Sequence, residues 1–114
     1  MVVRTMKQKT RQKVYNRANR QCEICGGTTG LQIHHIVRRS QLGSDKLDNL
    51  ILLCWNCHHG TRGVHGREGA KLDLRLKLDL QRNYVAEGYT ETEIRGLMGG
   101  KIYLEEELNA EQKL

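Results

Sequence analysis

Two Cys-x-x-Cys pairs constrain this chain more than any other feature of its sequence. The pairs are Cys22 with Cys25, and Cys54 with Cys57. Each spacing lets two thiolates contact one tetrahedral ion, so the two pairs together offer the four ligands of a structural zinc site. Two disulfides, or unpaired buried thiols, are the alternatives. In a reducing compartment paired cysteines favour metal binding, so we predict one zinc held by all four thiolates.

The size and composition of the chain make such a crosslink necessary. Its 114 residues predict one small domain, and they are only 38% hydrophobic, with one Trp and no Phe. A core this small usually needs a metal or a disulfide to be stable. Zinc would tie the N-terminal segment to the strand and helix beside the second cysteine pair, and its binding free energy would contribute to folding.

The sequence shows neither a signal-peptide pattern in residues 1–37 nor an apolar run long enough to span a bilayer. We therefore expect a cytoplasmic protein that has no membrane partner. This expectation agrees with the interpretation of the cysteines as metal ligands, because disulfides are rare in reducing compartments.

Positive charge is concentrated at the N-terminal end. The chain has 19 Lys and Arg against 13 Asp and Glu, a net charge of +6. Residues 1–21 contain no acidic residue, and their basic residues are Arg4, Lys7, Lys9, Arg11, Lys13, Arg17 and Arg20. Such a segment suits a polyanion, because neutralised phosphates release counterions. Lys13 and Arg17 are thus candidate nucleic-acid contacts, and a solvated helix face is the alternative.

Hydrophobic patterns predict an α+β fold. The expected elements are a basic helix from Thr10 to about Asn19, strands over 31–37 and 50–53 joined by a polar loop, and a short helix from the second cysteine pair to Gly60 or Gly63. The leucines of 72–80 alternate with charges, but they also recur at helical spacing and lack β-branched neighbours, so we predict a helix that ends before Gly88. Thr90–Glu93 is a capping box for a further helix to Met98.

Five histidines, a large number for this length, are His34, His35, His58, His59 and His65. Adjacent residues of a strand point to opposite faces, so His34 and His35 can have different roles. One can bind a metal while the other, titrating near neutral pH, acts as a general base. His58 follows Cys57 directly, so the helix held by zinc would present its imidazole toward the strands.

The order of these motifs resembles the HNH endonuclease family. The motifs are the first cysteine pair, Ile33-His34-His35-Ile36, a polar loop, Asp48-Asn49-Leu50, and the second cysteine pair followed by His58. The resemblance implies a ββα-metal core, and we expect four segments: a basic N-terminal helix over 1–21, the zinc-containing core over 22–66, a helical extension over 67–104 and an acidic, frayed tail over 105–114. Small proteins of this kind occur in tailed bacteriophages, which would place the chain in the host cytoplasm.

The resemblance also implies roles for individual residues. His34 stands at a metal-ligand position, and His35 at the position of the general base. Asn49 would hold the loop between the strands and help to orient that base. His58 would close the site as a second metal ligand. Many relatives have another His one helical turn later, where this chain has Arg62, so His65 is the next candidate ligand.

The implied activity is metal-dependent hydrolysis of phosphodiester bonds in double-stranded DNA, by nicking, double-strand cutting or both. Imidazole ligands suit Mn²⁺, Ni²⁺, Co²⁺ or Zn²⁺, and Mg²⁺ less well, so the catalytic ion stays open. Arg38, Arg39 and Arg62 flank the site and are candidates to hold phosphates. The family association makes phage packaging proteins such as terminase candidate partners. The alternative function is a zinc-knuckle module that binds nucleic acid without cutting it.

Overall fold

The computed structural model describes residues 6–112, with side chains as far as residue 108. Its helices and strands are α1 Gln8–Arg17, β1 Gln32–His35, β2 Leu50–Leu53, α2 Trp55–His59, α3 Ala70–Ala86, α4 Glu91–Leu97 and α5 Glu105–Gln112. Two 3₁₀ turns, Arg39–Gln41 and Leu47–Asn49, lie in the loop between the strands. The predicted α+β class is confirmed. Within the described residues, no helix is long and apolar enough to cross a membrane.

The two strands form an antiparallel hairpin that is buried on both faces along β2. His34 lies opposite Ile51, and His35 lies opposite Leu50. On one face Leu50 and Leu52 pack with Val14 of α1. On the other face Ile51 and Leu53 join the larger core built from α3 and α4. This double burial explains why β2 is a continuous apolar run without polar alternation.

The C-terminal helices cover the second face of the hairpin. The leucine-rich segment is helical, as its spacing predicts, and Leu76, Leu80 and Tyr84 project from it into the core. Tyr84 also donates a hydrogen bond from its hydroxyl to Oδ1 of Asp48, at 3.3 Å, which connects α3 to the loop before β2. The capping box at Thr90 is present, and its hydroxyl accepts from the backbone of Glu93.

The two ends of the chain differ from the sequence-based expectation. Helix α1 begins at Gln8, and Thr10 lies inside it rather than capping it. The exposed first turn can be hydrated, so it needs no side-chain cap. The acidic end is helical over Glu105–Gln112 instead of frayed. Three glutamates in its first turn interact favourably with the positive end of the helix dipole. Glu105 also forms an ion pair with Arg82 of α3. Arg4 and residues 113–114 lie outside the described part of the chain.

Candidate metal centres

The four cysteines converge in one cluster. Their Sγ atoms all lie within 4.8 Å of one another, and the sulfurs of Cys25 and Cys54 are 3.6 Å apart. Four thiolates around tetrahedral zinc, with Zn–S bonds of about 2.3 Å, place their sulfurs about 3.8 Å apart. A disulfide needs about 2.0 Å, and all four cysteines are free. The cluster can therefore hold a zinc ion, as the spacing predicts.

Backbone N–H groups are placed to stabilise thiolates in this cluster. The N–H groups of Ile24, Gly27 and Cys57 donate to cysteine sulfurs, each at 3.4 Å. Burial alone would raise the pKa of Cys22, but hydrogen bonds from the backbone outweigh it and lower that pKa to about 6. Burial, followed by the neighbouring thiols, raises the pKa of Cys57. Four thiolates at this separation need a cation to balance their charge, which suits zinc.

Three histidines form a second cluster beside the first. His34 comes from β1, His58 from α2 and His65 from the segment after α2, and one ring nitrogen of each lies within 4.8 Å of the others. The Nε2 atom of His34 is buried, and it has no hydrogen-bond partner among the described residues. A buried ring nitrogen without a partner is unfavourable unless something binds it. This donor set therefore fits a divalent metal ion.

Burial keeps these imidazoles neutral. It lowers the pKa of His34 to about 3, and the neighbouring rings of His58 and His65 add to the effect. Burial also lowers the pKa of His58 to about 4 and that of His65 below its usual value. A neutral imidazole retains the lone pair that a metal ligand needs.

A hydrogen bond to Gln32 fixes the tautomer of His58. The Nδ1 atom of His58 lies 2.8 Å from Oε1 of Gln32. Because an amide oxygen only accepts, Nδ1 carries the hydrogen and Nε2 keeps its lone pair. Nε2 of His59 lies 3.3 Å from the same oxygen, and His59 is outside the three-histidine group. Gln32 and His34 alternate along β1, so both lie on the same face of the strand.

A glycine-rich coil brings His65 to the cluster. Glycine occurs at every third position from Gly60 to Gly69, and the coil is closed by its own backbone hydrogen bonds. The N–H of His65 donates to the carbonyl of His58 at 2.9 Å. A Cβ atom at Gly66 would lie 1.9 Å from the carbonyl oxygen of Gly60, so only glycine allows this approach. The three-residue period of these glycines is the sequence signal that predicts such a coil.

His35 lies outside the three-histidine cluster and pairs with a carboxylate. Its Nε2 atom lies 2.7 Å from Oδ1 of Asp45. The side chain still lines the same surface depression as His34, His58 and His65. Asp45 was not among the predicted site residues, because one acid in a polar loop carries no distinctive signal in the sequence.

Asn49 is buried under the loop that carries Asp45. Its Oδ1 accepts from the N–H of Val37 at 2.8 Å, and its Nδ2 donates to the carbonyls of Val37 and Ser44 at 3.1 and 2.8 Å. These bonds connect both sides of the loop directly beside Asp45. Asn49 therefore holds the loop, and the structure shows no contact between its side chain and the histidine cluster.

The candidate phosphate-binding arginines lie in different surroundings. Arg38 and Arg39 line the depression of the histidine cluster, and Arg39 also contacts Asp45. Arg62 lines a neighbouring cleft, and Lys13 is exposed on α1. Arg17 instead donates to Glu23 and to the carbonyls of Leu47 and Leu50. Its guanidinium is thus engaged in holding α1 to the hairpin.

Comparison with known proteins agrees with this geometry. The sequence profile described as HNH endonuclease matches residues 22–61, so the resemblance is confirmed over the segment that contains both cysteine pairs. The chain is also 37% identical over 59 residues to the Type IV methyl-directed restriction enzyme EcoKMcrA of Escherichia coli (strain K12). That similarity covers 44% of this chain and 20% of the enzyme, so the chain spans only a small part of its relative. No solved structure matches the chain. The two similarities support nuclease activity in general.

Proposed function

We propose that the chain is a metal-dependent HNH endonuclease that hydrolyses phosphodiester bonds in double-stranded DNA. One observation carries the proposal: three histidines suited to one metal ion share a depression with a fourth, His35, which is oriented by a carboxylate. A metal site next to an oriented base is what phosphodiester hydrolysis needs. The depression is also open to solvent, so a phosphate can reach it.

The metal ligands in this proposal are His34, His58 and His65. A divalent ion bound there would supply a Lewis acid for a phosphate oxygen and for the leaving 3′ oxygen. Gln32 keeps the His58 ring in the tautomer that leaves Nε2 free, and the coil places His65 beside it. Mn²⁺, Ni²⁺, Co²⁺ and Zn²⁺ suit imidazole nitrogen better than Mg²⁺ does.

His35 is the proposed general base. Because the carboxylate of Asp45 accepts from Nε2–H, the lone pair of His35 lies on Nδ1. No described residue hydrogen-bonds to Nδ1, so it is free to take a proton from the attacking water. Asn49 is a positioning residue in this proposal, because it holds the loop that carries Asp45. The zinc proposed at the cysteine cluster holds α2, and therefore His58, against the hairpin.

DNA contacts are proposed for the basic residues that surround the depression. Arg38 and Arg39 line it, Arg62 lines the neighbouring cleft, and Lys13 is exposed on α1. We leave Arg17 out of this set, because its donors are used inside the protein. Location in a host cytoplasm, a phage origin and association with packaging proteins such as terminase rest on the family resemblance alone.

Plasmid cleavage tests the proposal. Supercoiled plasmid incubated with the protein and Mn²⁺ should be converted to nicked and linear forms, and EDTA should prevent this. His35→Ala should abolish cleavage but preserve DNA binding, whereas His59→Ala, at an exposed histidine outside the ligand group, should retain activity. Cleavage that survives His35→Ala would remove the proposed base. DNA binding without cleavage under any of the candidate metals would instead indicate the zinc-knuckle binding module.

A further inference from the structure

A second basic site lies beside the histidine cluster, outside the segment that matches the HNH profile. It is a cleft of about 600 Å³ between the glycine-rich coil and the start of α3. Its charged lining residues are Arg62, Glu68 and three further cations, Arg67, Lys71 and Arg75. Four positive charges thus face one carboxylate.

The cations of this cleft have no side-chain partner within the described part of the chain. Arg62, Arg67, Lys71 and Arg75 form no ion pair or side-chain hydrogen bond with any residue between 6 and 108 whose side chain is described. Other basic residues of the C-terminal helices do have carboxylate partners: Lys77 lies 2.8 Å from Asp73, and Arg95 lies 3.3 Å from Glu91. Lys71 and Arg75 are four residues apart on α3, so their like charges destabilise the helix unless an anion lies between them.

The backbone holds the two sides of the cleft together. The N–H of Glu68 donates to the carbonyl of Thr61 at 2.8 Å, which closes the coil between Arg62 and Arg67. A Cβ atom at Gly69 would lie 1.8 Å from the carbonyl oxygen of Gly63, so the coil packs tightly against the start of α3. The same coil carries His65, so the cleft and the histidine cluster have a fixed relative position.

We propose that this cleft binds backbone phosphates of the same DNA duplex whose scissile phosphate lies at the histidine cluster. The inference rests on the proposed function for the identity of the polyanion, but the binding site is separate from the catalytic residues. Phosphates along one strand are regularly spaced, so a duplex held at the histidines has further phosphates available for the adjoining cleft. Occupation of the cleft would add affinity and orient the duplex, without any contact to the reacting atoms.

Salt-dependent DNA binding tests this site with a matched control. Lys71→Gln/Arg75→Gln removes two charges from exposed positions of the cleft, and Arg95→Gln/Lys101→Gln removes two from exposed positions elsewhere. We would measure fluorescence anisotropy of a labelled duplex in KCl, with no divalent ion added. The double variant in the cleft (the cleft pair) should raise the Kd for the duplex at least about 10-fold at ~0.1 M salt. It should also reduce the slope of log K against log salt by about 1.8, since each of the two lost phosphate contacts contributes about 0.9. The control pair should change both much less.

Two further measurements separate this proposal from the proposed function. Mn²⁺-dependent hydrolysis of bis(p-nitrophenyl) phosphate, which is too small to reach both sites, should be the same in the cleft pair and the wild type. If the wild type hydrolyses neither substrate but the cleft pair still has the reduced salt slope, the nuclease proposal fails while the proposed phosphate-binding cleft is supported. If the cleft pair has the slope of the control pair, the cleft proposal is overturned, whether or not DNA is cut. Equal binding of a duplex RNA, with the same slope change, would overturn the assignment to DNA.

Discussion

Nε2 of His35 and Oδ1 of Asp45 lie 2.7 Å apart, across a loop whose ends are joined by Asn49. The carboxylate places the hydrogen on Nε2 and fixes the orientation of the ring. The adjacent His34 belongs to the three-histidine cluster, and its buried Nε2 has no hydrogen-bond partner among the described residues. The two neighbouring imidazoles therefore lie in different surroundings, one beside two further histidines and the other against a carboxylate.

Asp45→Asn tests the orientation of the base. An amide can present its NH₂ group to Nε2 and favour the other tautomer, so we expect kcat for plasmid nicking to fall by on the order of 100-fold while KM changes little. Steady-state kinetics with Mn²⁺ would measure both quantities, with Asp79→Asn on the exposed face of α3 as the control. A change confined to KM would contradict the assigned role of Asp45.

Gln32→Ala removes the acceptor that orients His58. We expect the affinity of the histidine cluster for Mn²⁺ to fall by roughly 10- to 100-fold, because outer hydrogen bonds hold metal-ligating imidazoles in place. Isothermal titration of the zinc-loaded protein would measure this affinity. Gln12→Ala, at an exposed position of α1, should leave it unchanged. Equal affinities for Gln32→Ala and the wild type would show that His58 needs no such support.

Gly66→Ala should disturb the site through the coil. The new methyl group would overlap the carbonyl of Gly60, 1.9 Å away, and push the segment of His65 outward. We expect weaker Mn²⁺ binding and a lower melting temperature. Gly96→Ala is the matched control, since a Cβ there meets nothing within 4 Å and α4 should gain about 0.5–1 kcal/mol. If the two variants melt alike, the close approach at Gly66 is not what holds the coil.

Asn49→Ala should destabilise the whole domain. It leaves one buried N–H and two carbonyl groups without their side-chain partner, and each such loss costs about 1 kcal/mol or more. We expect the free energy of unfolding to fall by about 3 kcal/mol, seen as a lower urea midpoint at unchanged slope. Asn16→Ala, on the exposed side of α1, should have little effect. If the two variants had the same urea midpoint, the side-chain hydrogen bonds of Asn49 would not stabilise the domain.

Removal of zinc should unfold the core, whereas loss of a ligand from the histidine cluster should not. We expect one tightly bound zinc per chain by elemental analysis, and we expect a strong chelator or Cys57→Ser to remove both this zinc and cooperative melting. His34→Ala should retain the zinc and the fold. If Cys57→Ser kept zinc and melted like the wild type, the four-thiolate site would be wrong.

Local patterns in the sequence predicted much of this protein. The cysteine spacing predicted the thiolate cluster, and the apolar run predicted β2 at its observed bounds, Leu50–Leu53. The leucine spacing predicted α3, and the capping box at Thr90 predicted α4. The helices, the strand and each cysteine pair depend on residues close together in the chain, so the sequence alone determines them, whereas the meeting of the two pairs is a tertiary contact. The helix Glu105–Gln112 at the acidic end, where Glu105 forms an ion pair with Arg82 of α3, was not predicted from the sequence.

The tertiary structure decided which distant residues meet. Whether the glycines return His65 to His58 depends on backbone bonds between separate turns, and the choice of Asp45 as the partner of His35 depends on how Asn49 folds the loop. Arg17 and Arg62 are both basic in the sequence, yet one is engaged by carbonyls of the hairpin and the other faces an open cleft. Charge and residue type are properties of the chain, whereas the partner of each charge is set by packing.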